Sequence, residues 1–258
     1  MLMALSDAQI SPDLVVGTSI GAINGAFIAA DPVGAAATLS KLWQGEALRD
    51  AFSETLLSRA MTLARSGTHL HPIEPLKQML EQSLAAAQFA DLSLPFQCVA
   101  ASIERTSAVW FSTGPLVPAV LASCAVPGLL PPVEVDGEHY FDGGLVDSIP
   151  VGRAAALGAT TVYVLQVGRI ETRLTVPKRP WEVGLVAFEI ARRHRFHEEM
   201  SALPRDIAVH VLPTGGSKRA PDLSQLRYRS KAMVAESIDR AHEASASYLA
   251  AAQEAQVK

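Results

Sequence analysis

The sequence predicts an α/β protein in which a mostly parallel central sheet is covered by helices on both faces. Three observations lead to this fold class. Short apolar runs bounded by glycine or proline alternate with helix-patterned segments along the chain. Hydrophobic residues make up 49% of the 258 residues, enough to bury a sizeable core. No internal repeat or low-complexity linker is found, so we expect one domain over residues 1–258.

The first elements follow from local patterns in the N-terminal region. Residues 2–9 have the pattern of a helix end. The short apolar run at 14–16, bounded by a proline and a glycine, is typical of a buried strand. Small and apolar residues dominate 20–30 before an Asp-Pro pair stops the segment, which indicates a helix packed tightly on the sheet.

The remaining elements are read from the same signals of periodicity, β-branched residues and turn residues. We expect, in order, mostly helix over 34–88, a strand over 96–102 with a partner at 108–111, a helix beginning at 115–123, a hairpin of 133–135 and 139–141 about Asp136-Gly137, a helix at 151–157, a strand at 161–167, a long helix at 181–203, a strand at 207–212 and a terminal helix at 227–253.

The composition excludes several classes of function. The net charge is −4, so the basic surface that nucleic acid requires is missing. Cys98 and Cys124 are too few for a disulfide framework and lack metal-ligand spacing, and His69 and His71 have no third ligand nearby. We therefore expect no metal or organic cofactor.

The sequence has no pattern that predicts a signal peptide or a membrane-spanning segment. Residues 1–7 carry no positive segment followed by a long apolar one, so no signal peptide is predicted. No run approaches the length of a membrane span. We expect a soluble cytoplasmic protein, and the sequence is compatible with peripheral contact with a membrane. The basic run at 192–195 is interpreted as a solvated helix face, with a membrane-facing helix as the alternative.

One segment has the pattern of a nucleophile elbow. It reads Gly17-Thr18-Ser19-Ile20-Gly21 and lies between a predicted strand and a predicted helix. Such a turn exposes the serine hydroxyl above a sheet, and we expect its glycines to permit the tight turn. The Ile20 N–H at the helix start is a candidate donor to an oxyanion.

A serine nucleophile requires a base, and two kinds of candidate exist. Asp142 ends the predicted strand at 139–141 and precedes the turn residues Gly143 and Gly144, although on the residues alone it could be a simple Asp-Gly turn. A Ser-His-Asp triad is the alternative. Its candidate histidines, none of them in a recognisable loop motif, are His139, His194, His197 and His210.

Three blocks in order resemble the patatin-like phospholipase family. They are residues 12–22 around Ser19, residues 122–132 (ASCAVPGLLPP) and residues 141–144 around Asp142, within a similarity that spans roughly 2–170. The resemblance implies a three-layer α/β/α fold and a Ser–Asp dyad without a catalytic histidine. It further implies that Ser19 attacks an ester, that Asp142 takes its proton, and that phospholipids or other fatty-acyl esters are the substrates.

One family block has no counterpart in the sequence. The glycine-rich loop that supplies oxyanion donors should precede residue 12, yet no glycine precedes Gly17. We interpret Met1 as an internal methionine of a longer protein, so that a first strand is missing. The alternative is a shortened, catalytically impaired member that binds lipid or regulates another protein.

Overall fold

The computed structural model describes most of the chain. The described residues are 1–45, 62, 64, 66–166, 173–178, 180–216 and 231–256. Parts of three sequence expectations lie outside the described residues, namely the middle of the helical stretch 34–88, the end of the strand 161–167 and the start of the helix 227–253.

The described elements agree with the sequence expectations in type and order. The helices are α1 Leu2–Asp7, α2 Ile20–Ala30, α3 Ala35–Gln44, α4 Glu74–Ser83, α5 Leu116–Ser123, α6 Val151–Ala156, α7 Pro180–Ala202 and α8 Lys231–Gln256. The strands are β1 Val15–Thr18, β2 Phe96–Ser102, β3 Ser107–Phe111, β4 Val133–Val135, β5 Glu138–Asp142, β6 Thr161–Val164 and β7 Ala208–Val211.

The α/β fold class is confirmed, but strand pairing is more mixed than expected. The larger sheet has the order β1-β2-β5-β4, with β3 paired to β2, and a two-stranded sheet joins β6 to β7. Among the described strands, β1–β2 and β6–β7 are parallel, whereas β2–β3, β2–β5 and β4–β5 are antiparallel. Short turns join β2 to β3 and β4 to β5, and such turns can connect only antiparallel neighbours. Both hairpins were expected from the sequence, whereas the antiparallel pairing of β2 with β5 was not, so the expectation of a mostly parallel sheet is wrong for the larger sheet.

Alternate residues of β2 contact helices on opposite faces of the sheet, as the two-residue period of a strand requires. Phe96 and Cys98 belong to the main hydrophobic core, which also includes residues of α2 and α5. Gln97 lies on the other side, where its side chain accepts a hydrogen bond from Arg153 of α6 at 2.8 Å. A further cluster on that side joins Val151 of α6 to Phe196 of α7. The sheet is therefore the middle of three layers.

Strand β2 is the element that organises the larger sheet. Residues 98–102 pair with β3 along one edge. The opposite edge is shared by two strands, since β1 pairs with residues 96–99 and β5 with residues 100–102. Because β1 is parallel to β2 and β5 is antiparallel, the carboxyl ends of β1 and β5 approach each other on that edge.

None of the helices in the described part of the chain is long and apolar enough to cross a membrane.

Candidate active site

The meeting point of β1 and β5 brings together two residues that are far apart in sequence. Thr18, the last residue of β1, is opposite Val99, and Asp142, the last residue of β5, is opposite the next residue, Ala100. Ser19 follows Thr18 directly. The register of two strands against one neighbour thus places Ser19 beside Asp142.

The side chains of these two residues are in direct contact. Ser19 Oγ donates a hydrogen bond to Asp142 Oδ2 at 2.5 Å. The other carboxylate oxygen, Oδ1, accepts the backbone N–H of Gly144 at 2.7 Å. Asp142 is only 2% exposed, whereas Ser19 is half-buried. A carboxylate held on both oxygens therefore faces a hydroxyl that is partly open to solvent.

Ser19 has the backbone geometry of a sharp strand-to-helix turn. Its φ is +56° and its ψ is −123°, a combination that costs a residue with a side chain about 1–3 kcal/mol. A Cβ at Gly17 would lie 2.3 Å from the carbonyl oxygen of Gly21, so glycine is required at Gly17. At Gly21 the position of a Cβ has no neighbour within 4 Å. The expectation that both glycines serve the tight turn is therefore wrong for Gly21.

A side chain is sterically excluded at each of the two glycines after Asp142, but by different neighbours. A Cβ on Gly143 would lie 2.2 Å from the carbonyl oxygen of Val99, so this residue packs directly against β2. A Cβ on Gly144 would lie 2.9 Å from Asp142 Oδ1 and 3.0 Å from the ring of Phe188. The absence of side chains thus lets the Gly144 N–H reach the carboxylate beneath helix α7.

Burial dominates the electrostatics of Asp142. Desolvation raises the pKa of the Asp142 carboxyl to about 6, and the hydrogen bonds from Ser19 and Gly144 together with the charge of Arg192 limit the rise. A carboxylate with a pKa near 6 is largely ionised at neutral pH, yet it is a much stronger base than an ordinary aspartate. The arrangement can therefore accept a proton from the Ser19 hydroxyl.

Two backbone N–H groups directly follow Ser19 in the chain, at the start of α2. In the described part of the chain, no hydrogen bond occupies the N–H of Ile20 or of Gly21, at the start of α2. The first N–H groups of a helix point outward and carry partial positive charge. The Ile20 N–H therefore remains a candidate donor to an oxyanion.

Helix α7 contacts the loop after Asp142, which sequence reasoning did not anticipate. Arg195 Nη1 donates to the carbonyl oxygen of Leu145 at 2.9 Å, and Arg192 Nη1 donates to Ser148 Oγ at 3.2 Å. The Arg192 side chain is only 15% exposed. The interpretation of residues 192–195 as a solvated face is therefore wrong for Arg192 and for Arg193, whose side chain is 12% exposed, but right for His194, which is 71% exposed.

The last residue of α5 and the residue that follows it also contact Ser19. The Ser19 N–H donates to Ser123 Oγ at 3.0 Å, and Cys124 Sγ donates to the Ser19 carbonyl oxygen at 3.1 Å. On the sequence alone Cys124 could be a thiol nucleophile, but it has no adjacent base and is interpreted as a small apolar residue. The signal that could have found these contacts is the block at 122–132, which the family resemblance included.

The candidate histidines have partners elsewhere. His139 Nδ1 contacts Glu104 at 2.8 Å, and His194 Nε2 lies 3.4 Å from Glu198. His210 stacks on Tyr163, and the ring of His197 lies 5.9 Å from that of its neighbour Phe196. Since Ser19 Oγ touches Asp142 directly, no imidazole separates them. No group of three or more potential metal ligands occurs among the described residues.

Comparison with known proteins gives a match to one family model and matches to several individual proteins. The family model described as patatin-like phospholipase matches residues 1–155. The chain is 30% identical over 175 residues, 66% of its length, to the protein of Emericella nidulans named lysophospholipase nte1. It is 29% identical over the same length to lysophospholipase nte1 of Aspergillus terreus. It is also 28% identical over 157 residues, 61% of its length, to an uncharacterized NTE family protein of Mycobacterium bovis.

The aligned region is a minor part of these relatives. It covers 11% of each of the two fungal proteins and 41% of the mycobacterial protein. The similarity therefore concerns only part of each relative. The family-model match to residues 1–155 of this chain includes both Ser19 and Asp142.

Proposed function

The chain belongs to the patatin-like phospholipase family, and from this premise we propose that it hydrolyses fatty-acyl esters of lipids with Ser19 as nucleophile and Asp142 as base. The observation that carries the proposal is the 2.5 Å hydrogen bond from Ser19 Oγ to a buried carboxylate oxygen of Asp142. It leaves no room for a third group between nucleophile and base.

The reaction begins with one proton transfer and one bond formation. Asp142 Oδ2 takes the Ser19 hydroxyl proton while Oγ attacks the ester carbonyl carbon, so that a tetrahedral oxyanion forms. The Ile20 N–H, which belongs to the residue after Ser19 at the start of α2, is the proposed donor to this oxyanion. The loss of one such donor typically costs about 10²–10³ in kcat.

The intermediate then collapses in two stages. The proton on Asp142 passes to the leaving alkoxide, the ester C–O bond breaks, and the acyl group remains on Ser19 Oγ. Water is next deprotonated by Asp142, attacks the acyl carbonyl and releases the fatty acid as Ser19 recovers its proton. Asp142 thus alternates between base and acid, which suits a pKa of about 6 near neutral pH.

The surface beside the pair suits an acyl chain. Ile20 directly follows Ser19, Leu145 follows the Asp142 turn, and each has 37% of its surface exposed. Exposed apolar side chains beside a reacting hydroxyl favour an apolar substrate part. Because relatives are named lysophospholipases, we propose lysophospholipids as the first substrates to test, with peripheral membrane contact as the route of access.

An active-site probe tests the proposed nucleophile. A fluorophosphonate should label the chain on Ser19, and a lysophosphatidylcholine assay should detect fatty acid release. Ser19→Ala should abolish both, whereas Ser107→Ala, at an exposed serine of β3, should abolish neither. Labelling that persists in Ser19→Ala would show that another residue reacts. Lipid binding without labelling or hydrolysis would instead favour the catalytically impaired alternative.

A further inference from the structure

Three consecutive residues contact the backbones of both members of the Ser19–Asp142 pair. Ser123 Oγ accepts the Ser19 N–H at 3.0 Å, and Cys124 Sγ donates to the Ser19 carbonyl oxygen at 3.1 Å. The next residue, Ala125, accepts the Asp142 N–H on its carbonyl oxygen at 2.9 Å. We name residues 123–125 the bridge segment.

We propose that the bridge segment is a positioning element that sets the separation of Ser19 and Asp142. The two residues come from different strands, which meet end to end on one edge of β2 and share no hydrogen-bonded ladder. The distance between Ser19 and Asp142 is therefore fixed only if one further segment contacts both residues. Three consecutive residues can fix it, because adjacent Cα atoms across trans peptides are held 3.8 Å apart.

The backbone conformation of Ser19 shows why contacts from the bridge segment are needed. A φ of +56° is unfavourable for a serine, and it persists only where the surroundings hold the backbone on more than one side. Ser123 holds the N–H, while Cys124 shares the carbonyl oxygen with the N–H groups of Ala22 and Ile23 in α2. Relaxation of this turn would swing the Ser19 side chain away from Asp142.

The bridge segment is well suited to this role. Ser123 is fully buried and Cys124 is 5% exposed, so water does not compete for their hydrogen bonds. Burial holds the pKa of the Cys124 thiol well above its usual range, so the thiol keeps the proton that it donates. Ser123 belongs to α5, a rigid element packed on β2 and on α2.

The chain offers a matched control for each side chain of the bridge segment. Ser245 is another fully buried serine, and its hydroxyl donates to the Pro213 carbonyl oxygen at 2.9 Å, away from the pair. Cys98 is another fully buried cysteine, on β2, and has no hydrogen bond to Ser19 or Asp142. Ser245→Ala thus removes a buried hydroxyl outside the bridge segment. Cys98→Ala removes a buried thiol that lies near Cys124 but has no hydrogen bond to Ser19 or Asp142.

The first measurement is structural and does not depend on activity. Crystal structures of Ser123→Ala and Cys124→Ala should show Ser19 Oγ beyond 3.5 Å from Asp142 Oδ2, with a changed Ser19 φ. Ser245→Ala and Cys98→Ala should keep the hydrogen bond. Cys124→Ser retains a donor and should keep it as well. An unchanged Ser19–Asp142 contact in both alanine variants would overturn the proposal.

The second measurement is kinetic and rests on the proposed hydrolase function. We expect kcat for ester hydrolysis to fall about 10- to 100-fold in Ser123→Ala, with little change in KM. The acid limb of its pH profile should move to higher pH, because the Ser19 hydrogen bond that lowers the Asp142 pKa is weakened. Ser245→Ala should match the parent in both.

The two proposals fail in different ways. A parent chain without Ser19-dependent hydrolysis or labelling would reject the function, while the crystal structures would still decide the role of the bridge segment. An active parent with a Ser123→Ala variant equal to Ser245→Ala in kcat and pH profile would reject the bridge segment alone.

Discussion

Ser19 Oγ donates a 2.5 Å hydrogen bond to Asp142 Oδ2 across a sequence separation of 123 residues. The contact forms where the last residues of β1 and β5 pair with successive residues of β2. Because Asp142 is buried and Ser19 is half-buried, the hydroxyl lies between the carboxylate and the surface. This geometry leads to four predictions.

The first prediction concerns the pH dependence of hydrolysis. Since Asp142 must be ionised to accept a proton and its pKa is raised to about 6, kcat/KM should rise through pH 6 and level off above it. The measurement is a pH–rate profile of ester hydrolysis. Asp147 is the needed control, because burial raises its pKa to about 7. In the Asp147→Asn variant, the rate should still fall as the pH drops through about 6. If the rate of this variant no longer falls there, the titrating group is Asp147 and not Asp142.

The second prediction concerns stability. The Asp142 carboxyl has a folded pKa above its ordinary value of 3.8, so the folded protein binds more protons than the unfolded chain between about pH 4 and 6. Stability contributed by Asp142 therefore falls as pH rises through that window. Asp142→Asn should abolish hydrolysis yet raise the free energy of unfolding at pH 8 by roughly 1–3 kcal/mol.

Denaturant unfolding at pH 8 and at pH 4.5 checks this second prediction. The gain should shrink at pH 4.5, where the wild-type carboxyl is protonated and neutral in the folded protein. An equal gain at both pH values would point to a packing effect of the amide instead of the charge.

The third prediction separates a dyad from a triad. Single alanine variants of His139, His194, His197 and His210 should each retain most of the parent's ester hydrolysis, because these side chains have partners away from Ser19. Ser19→Ala and Asp142→Asn should lose it. A triad histidine typically contributes several orders of magnitude to the rate. A histidine variant as inactive as Ser19→Ala would establish the triad and reject the dyad.

The fourth prediction concerns the turn after Asp142. Gly143→Ala should destabilise the protein by about 2 kcal/mol or more and reduce activity, because its Cβ would overlap the Val99 carbonyl oxygen. Gly184→Ala is the matched control, since its Cβ would lie in open space on α7. Thermal melts should show Gly184→Ala equal to the parent or more stable, as alanine favours a helix. A Gly143→Ala variant as stable as the parent would contradict the packing described.

The sequence alone determined the elements that carry the site, because their signals are local. The apolar run before Gly17, the small residues of α2 and the turn at Asp136-Gly137 predict their structures within a few residues. The Asp136 φ of +51° and the Gly137 φ of +81° are those that such a hairpin turn requires. The elbow motif likewise identified Ser19 as a candidate nucleophile. The choice of Asp142 as base needed the family resemblance, since the residues alone favoured a simple Asp-Gly turn.

Only the tertiary structure decided how these elements meet. The pairing of β1 and β5 with one edge of β2 depends on long-range register, which no local pattern encodes. The contacts of α7 with the Asp142 loop also depend on packing, since Arg192 and Arg195 read as a solvated basic run in sequence. The roles of Ser123 and Cys124 were hidden for the same reason. Their side chains contact Ser19 only because α5 and α2 pack on the same face of the sheet.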